Sequence, residues 1–218
     1  MGHHRQRELA LVRADGADEA ENAGMENFID ILVENYGADE PILMEDIVAA
    51  FPGKTRQTLY RWIDRAMKDG ALARFGRGVY YLPRKTRFGQ SRLLPEQVVR
   101  RKWIERDGEV IGYVSGAGLA NSVGVTEQVP ATLEVTTNSE TTRVRDIPTF
   151  GGWKSIRLRR PRTKVTAENV QALRFLDVIT NEPVREMDEY SISALRTLAR
   201  RAGRKQVYDC ATYYPAKT

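Results

Sequence analysis

The stretch Leu43–Pro83, LMEDIVAAFPGKTRQTLYRWIDRAMKDGALARFGRGVYYLP, decides how the rest of the chain is read. Its first part, about Met44 to Ala50, sets Met44, Ile47, Val48 and Phe51 on one side of a helix. Phe51-Pro52-Gly53 stops that helix, because proline cannot continue the hydrogen-bond ladder and glycine accepts the positive φ of a sharp reversal. A second helix starts near Lys54 or Thr55, with Thr55 as its N-cap. Its residues Leu59, Trp62, Ile63, Ala66 and Met67 follow the spacing of a core-facing stripe. Asp69-Gly70 closes it, and Ala71 to Arg74 and Val79 to Leu82 read as strands around Phe75-Gly76-Arg77-Gly78. Helix, tight turn, basic helix and glycine-punctuated hairpin is the order of a winged helix-turn-helix, whose second helix enters the DNA major groove.

The other face of that second helix carries Lys54, Thr55, Arg56, Gln57, Tyr60, Arg61 and Arg65, with Asp64 and Lys68. Residues near the start of a recognition helix reach base edges, and later ones touch phosphate. An arginine forks to guanine, a glutamine to adenine, and a tyrosine hydroxyl reaches phosphate. Arg74 and Arg77 sit near the wing tip. Arg84, Lys85, Arg87 and Arg92 lie in the connector RKTRFGQSRLLP, which either tracks the DNA backbone or is simply solvated. Residues 1–50 hold 3 Lys/Arg and 12 Asp/Glu, whereas residues 51–106 hold 15 Lys/Arg and 4 Asp/Glu. The formal net charge of +5 therefore conceals a strongly basic segment, the electrostatic footprint of a nucleic-acid face. Basic helix faces are also often just solvated, and winged helices also serve as protein-interaction modules.

The 218 residues suffice for two ordinary domains, and a hydrophobic content of 41% allows a real core. No apolar run is long enough to span a membrane, and the first residues lack the apolar core of a signal peptide. One cysteine, Cys210, excludes an internal disulfide, and a cytoplasmic protein is expected. The two histidines, His3 and His4, lie in the polar leader, where neither a metal site nor a catalytic role is expected.

The expected fold class is α+β, an N-terminal winged helix-turn-helix followed by a mixed α/β C-terminal domain. The expected boundaries are a disordered acidic leader at 1–24, the winged domain at 25–83, a basic linker at 84–95, an α+β domain at 96–205 and a tail at 206–218. Met25 to Tyr36 reads as the first helix of the winged domain, with Phe28, Ile31 and Leu32 inward. In the second domain a helix is expected over 96–106 and strands over 110–114, 132–137, 142–147 and 155–159. A short helix over 118–123 and two amphipathic helices over 167–179 and 189–202 complete it. Lys154–Lys164, KSIRLRRPRTK, has six Lys/Arg and no acid. Alternation of Ile156 and Leu158 with Arg157 and Arg159 predicts a strand with one basic face. In Tyr113–Pro130, YVSGAGLANSVGVTEQVP, Ser115 is a candidate helix cap, and Asn121 and Gln128 are candidates for local backbone bonds.

Arg77-Gly78-x-Tyr80-x-x-Pro83 and Arg87-Phe88-Gly89, followed by Ser115-Gly116, Asn121, Gly124-Val125-Thr126, Gln128-Val129-Pro130 and the strand Leu133–Thr137, resemble the AbiEi-type antitoxin family of type IV toxin–antitoxin systems. The likeness covers roughly residues 43–160; the leader and the last sixty residues do not contribute to it. It implies a two-part phage-defence protein. The winged domain would repress its own operon by binding inverted repeats in the promoter, as a monomer or weak dimer that pairs on DNA. The C-terminal domain would counteract a nucleotidyltransferase-like toxin, with Arg157, Arg159 and Arg160 as its candidate antitoxicity residues.

Catalytic constellations are absent from the sequence. No histidine lies in a folded segment, which leaves no Ser-His-Asp or Cys-His arrangement. There is no Cys/His cluster for zinc, no Asp-x-Lys or Glu-x-Lys, and Gly53-Lys54-Thr55 lacks the leading glycine of a Walker loop. No cofactor and no enzymatic activity are therefore expected. A regulator that senses a small ligand without a toxin partner is the alternative, favoured by a pocket lined by Tyr113, Phe150 and Trp153. A nucleic-acid-processing enzyme is the third reading.

Overall fold

The computed structural model of the protein describes residues 24, 27–150 and 153–216. The 1–24 leader, apart from Gly24, lies outside them. The chain is a mixed α+β structure whose contacts divide it into two units, Met1–Leu93 and Leu94–Thr218.

In the first unit, helix α1 (27–36) is followed by β1 (Ile42–Leu43), α2 (Met44–Ala50), α3 (Arg56–Lys68), β2 (Ala73–Gly76) and β3 (Val79–Tyr81). The three strands form an antiparallel sheet in the order β1-β3-β2, with Ile42 opposite Tyr80 and Arg74 also opposite Tyr80 on the other side. The expected hairpin is present, shifted by up to two residues at its ends. Strand β1 was not expected; it lies just before the helix expected from about Met44. Burial drives the assembly. Phe28 and Leu32 of α1, Ile47 of α2, and Leu59, Trp62, Ile63 and Ala66 of α3 meet in one core. Phe28, Phe51 and Trp62 pack ring on ring at centroid distances of 5.1, 5.7 and 5.9 Å.

The expected linker is structured in its first part. Strands β4 (Lys85–Thr86) and β5 (Gly89–Gln90) pair as a short hairpin that bonds back to the first unit. The Asp39 carboxylate accepts from Arg84 Nε and Ser91 Oγ, and Gln90 Nε2 donates to the Gly70 carbonyl at 2.9 Å. The physical reason is this shared anchor at Asp39, which composition alone does not reveal.

The second unit contains α4 (Pro95–Val99), the hairpin β6 (Glu105–Arg106) and β7 (Glu109–Val110), β8 (Gly112–Ser115), α5 (Gly116–Ser122), β9 (Thr132–Thr137), β10 (Val144–Phe150), β11 (Trp153–Arg159), α6 (Val170–Asn181), α7 (Glu189–Ala202) and α8 (Arg204–Ala211). A single π-turn, Arg100–Ile104, continues α4 and ends the helix expected over 96–106, because Trp103 turns into the core. The tail expected from 206 is instead largely helical, since Val207, Cys210 and Tyr214 pack against α6 and α7. The main sheet runs β10-β11-β9-β8, with β11 and β9 parallel and the other pairs antiparallel.

Alternation along this sheet gives its faces different chemistry. Leu133, Val135, Ile156 and Leu158 point to one face and join Val99 and Trp103 in a core. Tyr113, Ser115, Glu134, Thr136, Arg157 and Arg159 fall on the other. Over β8 that second face is covered by the core of α5 to α8, which takes in Tyr113. Over β9 and β11 it carries polar side chains.

Candidate functional site

The first candidate surface is the solvent face of α3. Thr55 caps the helix as its local sequence predicts: its backbone is extended and its Oγ1 accepts from the Thr58 amide at 3.1 Å. The buried Leu59-Trp62-Ile63-Ala66 stripe fixes the rotation of the helix, which leaves Arg56, Gln57, Tyr60, Arg61 and Arg65 exposed. Lys54 is exposed as well, its Nζ 5.5 Å from the centroid of the Trp62 ring. No ion pair among the described residues engages Arg56, Arg65 or Arg77.

Two hairpins extend this cationic character. Arg77 is exposed in the β2–β3 turn next to Gly78, whose φ of 69° closes that turn, and Arg74 Nε donates to the Gly76 carbonyl at 3.2 Å. In the β4–β5 hairpin Arg84, Lys85 and Arg87 are exposed, and the Phe88 side chain is 100% exposed between Arg87 and Gly89. The Ser91 hydroxyl and then the Arg84 guanidinium hold the Asp39 carboxyl below the usual carboxylate range, against the opposing effect of burial. Arg84 is therefore partly committed to the fold of the hairpin.

The second candidate is a cleft of about 450 Å³ on the polar face of the main sheet. Arg143, Arg159, Arg160 and Arg162 line it opposite Glu134 and Asp177, with Tyr113 and Tyr214 alongside. Arg159 Nε donates to Glu134 at 2.6 Å, and the Gly116 amide approaches Asp177 Oδ2 at 3.4 Å. Gly116 has φ of 60°, and a Cβ there would fall 2.8 Å from the Glu134 carboxyl, so a larger residue would be strained and would push that side chain aside. Arg162 lies over the Tyr214 ring at 4.9 Å, and the Tyr214 hydroxyl donates to the Leu173 carbonyl at 3.3 Å. Burial pushes the Asp177 carboxyl above its ordinary pKa; it pushes the Tyr214 phenol up to about 12 and Tyr113 higher still. No group of three or more His, Cys, Asp or Glu able to hold a metal occurs among the described residues.

The arginines expected to form one basic strand face have different surroundings. Arg157 is bonded through two nitrogens to Asp146, at 2.8 and 3.1 Å, and Arg159 to Glu134, so both are neutralised in place. Arg160 is exposed at the cleft and forms no ion pair among the described residues. Of the three residues whose pocket would favour a ligand-sensing regulator, Tyr113 lines the cleft, whereas Phe150 packs on Trp103 at 5.6 Å in the other core; the Trp153 side chain lies outside what is described. Ser115 occupies the N-cap position of α5, but its side chain makes no capping bond; it is buried and accepts from Thr136 Oγ1 at 3.0 Å. Asn121 makes its local bond, Nδ2 to the Thr126 carbonyl at 3.2 Å, while Gln128 takes part through its backbone amide. Sequence reading overlooked Asn138, whose amide exchanges two hydrogen bonds with the Val165 backbone, at 2.8 and 2.9 Å. It also overlooked Arg143 and Tyr214, and Arg162 figures there only within the basic run 154–164; these residues lie far apart along the chain.

Compared with known proteins, the chain matches no family model, and no curated protein matches it significantly. Among the described residues no helix is long and apolar enough to cross a membrane.

Proposed function

We propose that this chain is a transcription regulator of the winged helix-turn-helix type, in which α3 is the recognition helix and the β2–β3 hairpin the wing. The observation that carries the reading is the exposed face Arg56, Gln57, Tyr60, Arg61 and Arg65, held outward by the buried stripe on the opposite side of the same helix. Its early residues suit base edges; Arg65, Arg74, Arg77 and Lys85 suit phosphate. Phe88, bare at the tip of a basic hairpin, suits a groove wall or a base step. The resemblance to AbiEi-type antitoxins extends the proposal: the protein represses its own operon through inverted repeats, pairing on DNA, and its second unit counteracts a nucleotidyltransferase-like toxin without being an enzyme itself.

The two halves of the proposal are separable by experiment. A mobility-shift titration with upstream promoter DNA and a scrambled probe tests the first. Sequence-selective binding lost in Arg56→Ala/Arg61→Ala supports it, and binding indifferent to both changes refutes it. Growth on co-expression with a neighbouring nucleotidyltransferase-like gene tests the second; failure to rescue growth removes the antitoxin role and leaves a regulator without a toxin partner. That second reading is favoured by the cleft.

A further inference from the structure

We propose that the cleft on the polar face of the β10-β11-β9-β8 sheet is a binding site for a small sugar phosphate, with the phosphate on Arg143, Arg160 and Arg162 and sugar hydroxyls on Asp177. The inference does not depend on the DNA-binding reading.

The cation balance comes first. Four guanidinium groups line the cleft against two carboxylates, and one of the four, Arg159, is already spent on Glu134. Arg143, Arg160 and Arg162 form no ion pair among the described residues, although Arg162 is near enough to Asp177 to attract its carboxylate. Elsewhere on the same sheet arginines are neutralised, Arg157 by Asp146 and Arg145 by Glu140. The three are also held together rather than scattered. The Arg160 amide donates to the Arg143 carbonyl at 3.3 Å, Pro161 restricts the following bend, and Asn138 clamps Val165 just beyond. All three side chains are exposed where they line the cleft, open to an anion that enters it. The planar fork of a guanidinium matches phosphate oxygens.

The opposite wall defines the rest of the ligand. Among the described residues the Asp177 carboxyl accepts only the long Gly116 amide contact, and acceptor capacity remains on it. A bare inorganic anion gains nothing from Asp177 or Glu134, and an apolar molecule finds polar walls. A molecule with an anionic end and a hydroxylated end satisfies both sides. The volume, about 450 Å³, accommodates a pentose phosphate or a mononucleotide.

The test is calorimetric titration of the full chain with four probes: inorganic phosphate, ribose, ribose 5-phosphate and AMP. Ribose 5-phosphate and AMP are expected to bind about tenfold or more tightly than inorganic phosphate, and ribose without measurable heat. Equal affinity for the first two identifies a free sugar phosphate as the source of the chemistry; a marked preference for AMP identifies a nucleotide. Arg160→Ala/Arg162→Ala lowers the affinity for both by about tenfold or more. Asp177→Asn weakens ribose 5-phosphate and leaves inorganic phosphate unchanged. Arg157→Ala, outside the cleft, changes nothing. No binding of any probe at ~10 mM, ribose binding as well as its phosphate, or full affinity in a folded double variant overturns the proposal. So does a double variant that loses only affinity for duplex DNA, since its arginines then serve nucleic acid.

Discussion

Gly112 carries an unusually strict residue-level constraint. A Cβ there would lie 2.1 Å from the Trp103 carbonyl oxygen and 2.6 Å from that of Thr136, and backbone atoms cannot swing aside as a side chain does. Gly112→Ala is expected to lower the unfolding free energy of the second unit by about 1–3 kcal/mol, read as a reduced urea midpoint; an unchanged midpoint contradicts the packing described. Asp177 gives a prediction with a sign in pH. Its carboxyl is pushed up by burial, so both folded and unfolded chains are protonated well below the ordinary value of about 4 and no penalty exists there. The penalty grows as pH rises past that value and is complete above the folded pKa. Asp177→Asn should therefore raise the melting temperature at pH 7, with the gain shrinking at low pH; a loss at pH 7 would show that the attraction of Arg159 and Arg162 outweighs burial. Residues whose partners are near in sequence were legible: Thr55 caps the helix it precedes. Ser115 was not, because its partner Thr136 sits on the neighbouring strand, and Asn138 was not, because its partner is Val165.

At the scale of elements, periodicity reads well where one face is buried. Met44–Ala50, Thr132–Thr137 and Glu189–Ala202 have the bounds that the apolar pattern predicts. It reads poorly where two residues suffice, as in β1 and in the β4–β5 hairpin, whose pairing is too short to leave a pattern. That hairpin depends on Asp39, whose carboxyl is held below its usual range by Ser91 and Arg84. A depressed carboxyl contributes stability above its unfolded value of about 4 and loses it as pH falls through the lower folded value. Amide exchange in residues 84–91 should accelerate selectively below about pH 4, and Asp39→Asn should produce the same acceleration at pH 7. Exchange that stays slow in the variant would assign the anchor to Gln90 and Gly70 instead. Phe88→Ala tests the same hairpin from outside. It removes a side chain with no packing role, so stability stays within about 0.5 kcal/mol, while affinity for promoter DNA is expected to fall several-fold. Unchanged affinity would confine the proposed DNA contacts to α3 and the β2–β3 hairpin.

Across the whole molecule, charge and folding are partitioned at different points of the chain. The basic segment 51–106 begins at the turn before α3 and runs past Leu93, where the first unit ends, into the second. The candidate surface on α3 was legible in the sequence because an amphipathic helix displays its solvent face in every turn. The cleft was not, because its lining comes from β8, α5, β9, the segment before β10, β11 and the segment after it, α6 and the chain after α8. The sheet register, the bonds at Asn138 and the contacts of Gly116 with Asp177 and of Tyr214 with Leu173 bring these segments together. The central claim is that the exposed face of α3 reads DNA, and fluorescence anisotropy of the full chain on its own promoter fragment across a salt series tests it most directly. With ~6 phosphates neutralised, log affinity should fall against log salt with a slope near −5, about three decades between 50 and 200 mM. Arg56→Ala/Arg61→Ala should cost about tenfold or more on the promoter and much less on a scrambled duplex. Equal losses on both duplexes, or a salt-independent affinity untouched by the double change, would contradict the account.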